Sequence, residues 1–248
     1  MRQRFRAIVF DFDYTLADSS RGAIACINFA LDALGLPAVS AEAAKRTIGL
    51  SLPDTFLELA GPQHAAQSDE FARLFVERAD AASSVRSADR TREMNAQGHS
   101  SVMSDLTVLF ESVPEMIRKL KAQGFSLGIV STKFRYRIES VLRREGLLDA
   151  FAVIIGGEDV AKHKPDPAGL LTAVERLGST HASTLYVGDS VTDAQTADRA
   201  GVPFVAVLSG VTPRKAFRDY ATCEIVESLY DFLEWEGCQC ARKPSSTL

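Results

Sequence analysis

The chain has 248 residues, a formal net charge of −4 and 46% hydrophobic residues, enough apolar content for one large α/β domain or a core with a smaller companion. The acidic balance gives no electrostatic footprint for nucleic acid, no window approaches the length of a membrane span, and the basic start Met1-Arg2-Gln3-Arg4-Phe5-Arg6 runs into too short an apolar segment for a signal peptide. Cys26, Cys223, Cys238 and Cys240 are too few and scattered for a disulfide framework, which predicts a reducing, cytoplasmic setting, and the Cys238-Gln239-Cys240 pair has no second Cys/His pair nearby with which to bind a metal.

Residues 6–10 form an apolar, β-prone run without polar alternation, as expected of a strand buried on both faces of a parallel sheet. The run ends in Asp11-Phe12-Asp13-Tyr14-Thr15-Leu16. Ligands of open α/β sheets bind beyond the carboxyl ends of the strands, so two carboxylates at this edge point to chemistry, although one isolated Asp would more simply cap a turn. Apolar residues then recur at helical spacing over residues 21–34, 41–48, 53–60 and 69–78. Residues 79–104 are rich in Ala, Ser, Arg and other polar residues with little periodicity, which predicts a mobile loop or an extended helix end.

After this interval, far longer than an ordinary crossover, strands and helices alternate. Strands are predicted at 125–130, 152–155, 184–187 and 204–208. Helices are predicted at 114–123, 135–145, 165–177 and 193–200, ending at Gly124, Gly146, Gly178 and Gly201. The alternation predicts a doubly wound, Rossmann-like parallel sheet with a small α-helical cap inserted after the first strand. Residues 1–16 and 105–236 would form the core, 17–104 the cap and 237–248 a flexible tail.

Reactive groups follow each of four strands. Asp11 and Asp13 follow the first; Ser131, Thr132 and Lys133 the second; His163-Lys164-Pro165-Asp166-Pro167 the third after a short loop; and Gly188-Asp189-Ser190-Val191-Thr192-Asp193 the fourth. Clustered carboxylates repel one another unless a cation neutralises them, and oxygen donors without Cys or His favour Mg²⁺ over zinc. Lys164 and Ser131 would add a positive charge and a donor for an anion, as phosphoryl transfer requires. One carboxylate can then act as nucleophile and the other as general acid and base.

These four ordered motifs resemble those of the haloacid dehalogenase superfamily of phosphohydrolases, in particular its phosphoglycolate phosphatase-like branch, over residues 6–230. The resemblance implies that Asp11 attacks phosphorus and Asp13 is the acid and base. It implies that Ser131 and Lys164 bind the transferring group with Thr132 beside them, and that Asp11, the Asp13 carbonyl and Asp189 hold Mg²⁺. Asp193 would support that shell, or else begin the following helix. Thr15 and Lys133 serve orientation or capping as readily as substrate contact, and His163 reads as a loop or phosphate-rim residue. The implied reaction is Mg²⁺-dependent hydrolysis of a small phosphomonoester such as phosphoglycolate through an aspartyl phosphate, with pyrophosphate, sugar phosphates and nucleotides as alternatives.

Several departures shape this reading. Tyr14 stands where phosphatases of the family usually carry Gly, so the turn is expected not to depend on a Gly-only conformation, and Tyr14 is expected to fill part of the site entrance. Asp13 argues against carbon-centre dehalogenation, and Asp18-Ser19-Ser20-Arg21-Gly22-Ala23 lacks the cap-side His of β-phosphoglucomutase-like relatives. Lys45, the lone Lys of the predicted cap, reads as solvated rather than as a Schiff-base former. Specificity is expected from Arg46 and the loop Gly49-Leu50-Ser51-Leu52, facing a small anionic leaving group. A non-catalytic phosphate- or protein-binding regulator would have lost Asp11, Asp13, Lys164 or Asp189. The expected partner is a small phosphorylated metabolite, with neither nucleic acid nor membrane, for a monomer or homodimer.

Overall fold

The computed structural model describes residues 5–82 and 101–235. Among these, the strands are β1 (Ala7–Phe10), β2 (Ala17–Asp18), β3 (Val108–Leu109), β4 (Ser126–Val130), β5 (Phe151–Ile155), β6 (Thr184–Gly188), β7 (Phe204–Val207) and β8 (Thr222–Val226). The helices are α1 (Ser20–Ala33), α2 (Ala41–Arg46), α3 (Leu52–Ala60), α4 (Ser68–Asp80), α5 (Val102–Asp105), α6 (Val113–Ala122), α7 (Arg135–Arg144), α8 (Ala168–Arg176), α9 (Val191–Ala200) and α10 (Leu229–Glu234). No helix among the described residues is long and apolar enough to cross a membrane.

Six strands form a parallel sheet in the order β5-β4-β1-β6-β7-β8. Every residue of β1 is buried because helices cover both faces. Ile8 and Phe10 join a cluster with Met116, Ile117, Ile138 and Phe232 of α6, α7 and α10, whereas Val9 packs with Leu170, Val174 and Ala197 of α8 and α9. The chain winds outward from β1 through β4 to β5, then returns to the other side of β1 at β6. Phe10 is in register with both Ile129 and Val187, so the residues that follow β1, β4 and β6 emerge together at the switch point of the sheet.

The helices between β2 and β3 bury a core of their own. Cys26, Ile27, Leu31, Phe56, Phe71 and Leu74 meet there, with Phe56 and Phe71 stacked at 4.8 Å between ring centroids. Full burial of such a Phe contributes about 1.5–3 kcal/mol. The chain enters and leaves this helical unit through the antiparallel pair β2 and β3, with Ala17 opposite Leu109 and Asp18 opposite Val108.

The structure amends several expected bounds. The helix expected from 165 starts at Ala168, because Asp166 precedes Pro167 and a residue before Pro disfavours the helical region. The helix expected from 193 starts at Val191, capped by Ser190. The segment 41–48 is helical only to Arg46. Of residues 79–104, those described include the end of α4 and the start of α5; Ser101 caps α5, and Val102 and Met103 enter the helical core. Residues 83–100, the tail 237–248, Cys238 and Cys240 lie outside the described residues. The sequence reading omits β8, which has no continuous apolar run because Cys223 and Glu224 are exposed on this edge strand, and α10, which is only six residues long.

Candidate active site

The turn after β1 sets the first carboxylates. The Asp11 amide donates to the Val187 carbonyl at 2.9 Å, Phe12 enters the core, and the Leu16 and Ala17 amides both donate to the Phe12 carbonyl. Asp11 and Asp13 thereby stand on either side of a buried Phe. Tyr14 has φ 61°, in the left-handed region. The expectation that this turn avoids a Gly-only conformation is therefore overturned: the turn keeps that conformation with a Tyr in it, at a cost on the order of 1–2 kcal/mol. The Ser209 hydroxyl holds it by donating to the Tyr14 carbonyl at 2.5 Å. The Tyr14 side chain is not among the residues that line the cleft beside Asp13. It is buried, its hydroxyl has no hydrogen-bond partner, and burial pushes the phenol up to about 12.

Asp11 is 2% exposed, with its Oδ1 2.8 Å from Lys164 Nζ. Lys164 also donates to Asp193 Oδ1 at 2.6 Å. Burial pushes Asp11 up to about 7 against the opposing pull of Lys164, and burial with the charges of Asp193 and Asp11 raises Asp189 well above the usual carboxylate range. Burial alone would lower Lys164; Asp11 and Asp193 outweigh it and hold the ammonium above its ordinary value.

Asp193 carries two duties at once. As the third residue of α9 it closes a capping box, its Oδ2 accepting from the Ser190 amide at 3.1 Å and the Ser190 hydroxyl at 2.5 Å. Its Oδ1 accepts from Lys164 and, at 2.8 Å, from the Tyr186 hydroxyl. Gly188 makes room for it, since a Cβ there would lie 2.5 Å from Asp193 Cγ. Thr15 donates to Asp189 Oδ1 at 3.2 Å, so it orients a carboxylate.

Carboxylate oxygens of Asp11, Asp189 and Asp193, all buried, lie within 4.8 Å of one another. Apart from its ion pair with Lys164, Asp11 Oδ1 has no hydrogen-bond donor. Three acids, two of them paired with the one Lys164 and all offering oxygen ligands, fit a hard divalent cation such as Mg²⁺. Asp11 and Asp189 fit as ligands; Asp193, with both oxygens committed to protein donors, fits as support.

Asp13 is paired with Lys133 at 2.9 Å, side chains 9% and 6% exposed. Both line a cleft between the sheet rim and the helical unit, together with Thr132, Gly49, Leu50, Ile27, Phe75, Met103 and Arg137. The cleft is bounded by Asp13 rather than Asp11. The Thr132 hydroxyl donates to the Gly49 carbonyl at 3.1 Å, tying the loop after β4 to the loop after α2. Ser131 is 5% exposed and its Oγ accepts from the Lys133 amide at 3.3 Å. His163 stands apart from these contacts, with its Nδ1 buried and unpartnered.

Thus Asp11, Asp13, Thr15, Ser131, Thr132, Lys164, Asp189 and Asp193 gather at one edge, and Gly49 reaches it from the helical unit. Arg46 does not: it is exposed and does not line the cleft. Three participants escape the sequence reading, namely Lys133 as the partner of Asp13, Tyr186 and Arg137. A phenol within the otherwise apolar β6 run, two residues before Gly188, was a signal for Tyr186.

A family model described as haloacid dehalogenase-like hydrolase matches residues 8–207. The chain belongs to this family. The phosphoglycolate phosphatase of Salmonella paratyphi A is 32% identical over 234 residues, 93% of this chain and 92% of the relative. That of Escherichia coli K12 is 32% identical over 231 residues, 92% and 91% of the two chains. A haloacid dehalogenase-like hydrolase structure from Bacteroides fragilis superposes with a TM-score of 0.82 at 39% identity, covering 92% of this chain and all of that one. The α/β core of this haloacid dehalogenase-like hydrolase is thus shared across nearly its whole length.

Proposed function

We propose that this hydrolase is a Mg²⁺-dependent phosphatase for a small phosphomonoester of the phosphoglycolate type, working through an aspartyl phosphate on Asp11 with the helical unit as its cap. The observation that carries the reading is the pair of buried ion pairs at one rim, Asp11 with Lys164 and Asp13 with Lys133, the second open to the cleft. Full-length relatives named phosphoglycolate phosphatase support the substrate class.

In the first half-reaction the Asp11 carboxylate attacks phosphorus, the bond from phosphorus to the leaving oxygen breaks, and Asp13, entering the step protonated, gives that oxygen its proton and is left as the carboxylate paired with Lys133. Lys164 orients Asp11 and offsets charge on the phosphoryl oxygens, and the Ser131 hydroxyl donates to one of them. In the second, Asp13 takes a proton from water, which attacks phosphorus and releases phosphate and free Asp11. Lys133 holds Asp13 on the cleft side throughout. When bound at Asp11, the Asp13 carbonyl and Asp189, Mg²⁺ supplies charge neutralisation for the entering phosphate. The apolar walls Ile27, Leu50, Phe75 and Met103 exclude water from the reacting atoms and favour an organic leaving group over pyrophosphate.

The test is hydrolysis of p-nitrophenyl phosphate and 2-phosphoglycolate with Mg²⁺ and with EDTA, in wild type and Asp11→Asn. Loss of turnover by roughly a thousandfold or more in the variant, and its dependence on the cation, are expected. Turnover that survives Asp11→Asn would refute the mechanism.

A further inference from the structure

Arg137, in the first turn of α7, is 4% exposed and lines the same cleft as Asp13 and Lys133. Its Nε donates to Asp80 Oδ1 at 2.9 Å, and Asp80 sits at the end of α4 in the helical unit. Its guanidinium lies over the rings of Phe134 and Tyr136, with Cζ 5.0 Å and 5.3 Å from their centroids. Its Nη2 is buried with no hydrogen-bond partner. The other oxygen of Asp80 accepts from the Tyr136 hydroxyl at 2.6 Å. Buried guanidinium donors are normally satisfied.

We infer that Arg137 is the specificity residue for the leaving group, its free Nη2 edge taking a carboxylate on the ester while the phosphoryl group sits at Asp11. This deepens the phosphatase reading and rests on it. The charge argument selects the carboxylate. Lys133 already faces Asp13 and Arg137 already faces Asp80, so no surplus positive charge remains to hold the dianion of a second phosphate, whereas one unfilled guanidinium N–H can take a single carboxylate. The ring faces of Phe134 and Tyr136 and the bond to Asp80 fix the guanidinium plane, which makes the recognition directional. Arg137 thus fills the role that sequence reasoning gave to Arg46.

The experiment compares kcat/KM for 2-phosphoglycolate with that for ethyl phosphate, an ester of similar shape without the acid, in wild type, Arg137→Met, Arg137→Lys and Asp80→Asn. Wild type is expected to prefer the acid-bearing ester, and Arg137→Met to lower that preference by about tenfold to a hundredfold. Arg137→Lys, which keeps the charge if the Met variant folds poorly, should fall in between, and Asp80→Asn should lower the preference less than Arg137→Met. A wild type indifferent to the acid, Arg137 variants that depress both esters alike, or a preference for ethylene glycol bisphosphate over 2-phosphoglycolate would each overturn the assignment. Absence of any Asp11-dependent turnover of p-nitrophenyl phosphate would instead remove the phosphatase reading, and this inference with it.

Discussion

Gly210, just beyond β7, offers a sharp test of how tightly the proposed cation side of the site is built. A Cβ placed there would lie 2.0 Å from Asp189 Oδ2 and 3.2 Å from the Cβ of Tyr14. Relief to ordinary contact requires a shift of about 1 Å or more. Tyr14 gives little room, since its backbone sits at φ 61° under the Ser209 hydroxyl, so the Asp189 carboxylate is the group that yields, against its bond from Thr15. A misplacement of about 1 Å at a catalytic centre costs on the order of a hundredfold in rate. Overpacking of a close-packed region costs about 1–3 kcal/mol. Gly210→Ala should therefore lower kcat/KM by roughly a hundredfold and raise the Mg²⁺ concentration needed for half-activation, while Tm falls by about 2–4 °C per kcal/mol lost. Steady-state kinetics over a Mg²⁺ titration, with thermal denaturation alongside, reads both. Wild-type activity and an unchanged Mg²⁺ requirement in this variant would refute the claim that Asp189 is positioned for a cation.

Two further substitutions probe the site's supports. Lys133→Met leaves Asp13 buried without its partner and should cost about 3 kcal/mol of stability, read as a lowered midpoint in urea; an unchanged midpoint would mean that water already solvates the pair. Tyr14→Phe removes a buried hydroxyl that has no partner and should raise stability by about 1 kcal/mol, with Tm rising by about 2–4 °C; a fall in Tm would reveal a bond that the hydroxyl makes.

The sheet and its reactive edge are legible in the sequence because parallel strands buried on both faces leave continuous apolar runs, and the first, second and fourth of them end directly before their polar motifs. Asp193 illustrates how far such reading goes. Capping and site support looked like alternatives, yet one carboxylate has two oxygens, and the fold spends one on Ser190 and the other on Lys164 and Tyr186. Partnerships across long stretches of chain leave no local trace: Lys133 lies 120 residues from Asp13, and Thr132 lies 83 residues from Gly49. Arg46 and Arg137 show the same limit from the other side. Both are helical arginines, and only the approach of the end of α4 to the first turn of α7 distinguishes the exposed one from the one that lines the cleft. Tyr14 misled for a different reason: tertiary contacts hold it in a conformation that its own preferences oppose.

The six residues from Thr132 to Arg137 carry two of the contacts that tie the helical unit to the core, one at Gly49 and one at Asp80, and they directly follow Ser131. Under the proposed mechanism one short stretch therefore both contacts the helical unit and adjoins the phosphoryl donor Ser131. If bound phosphate favours one arrangement of that stretch, the same arrangement must bind phosphate more tightly by the same factor. A substitution at Asp80, remote in sequence from Asp11, Ser131, Lys164 and Asp189, is then expected to change phosphate affinity.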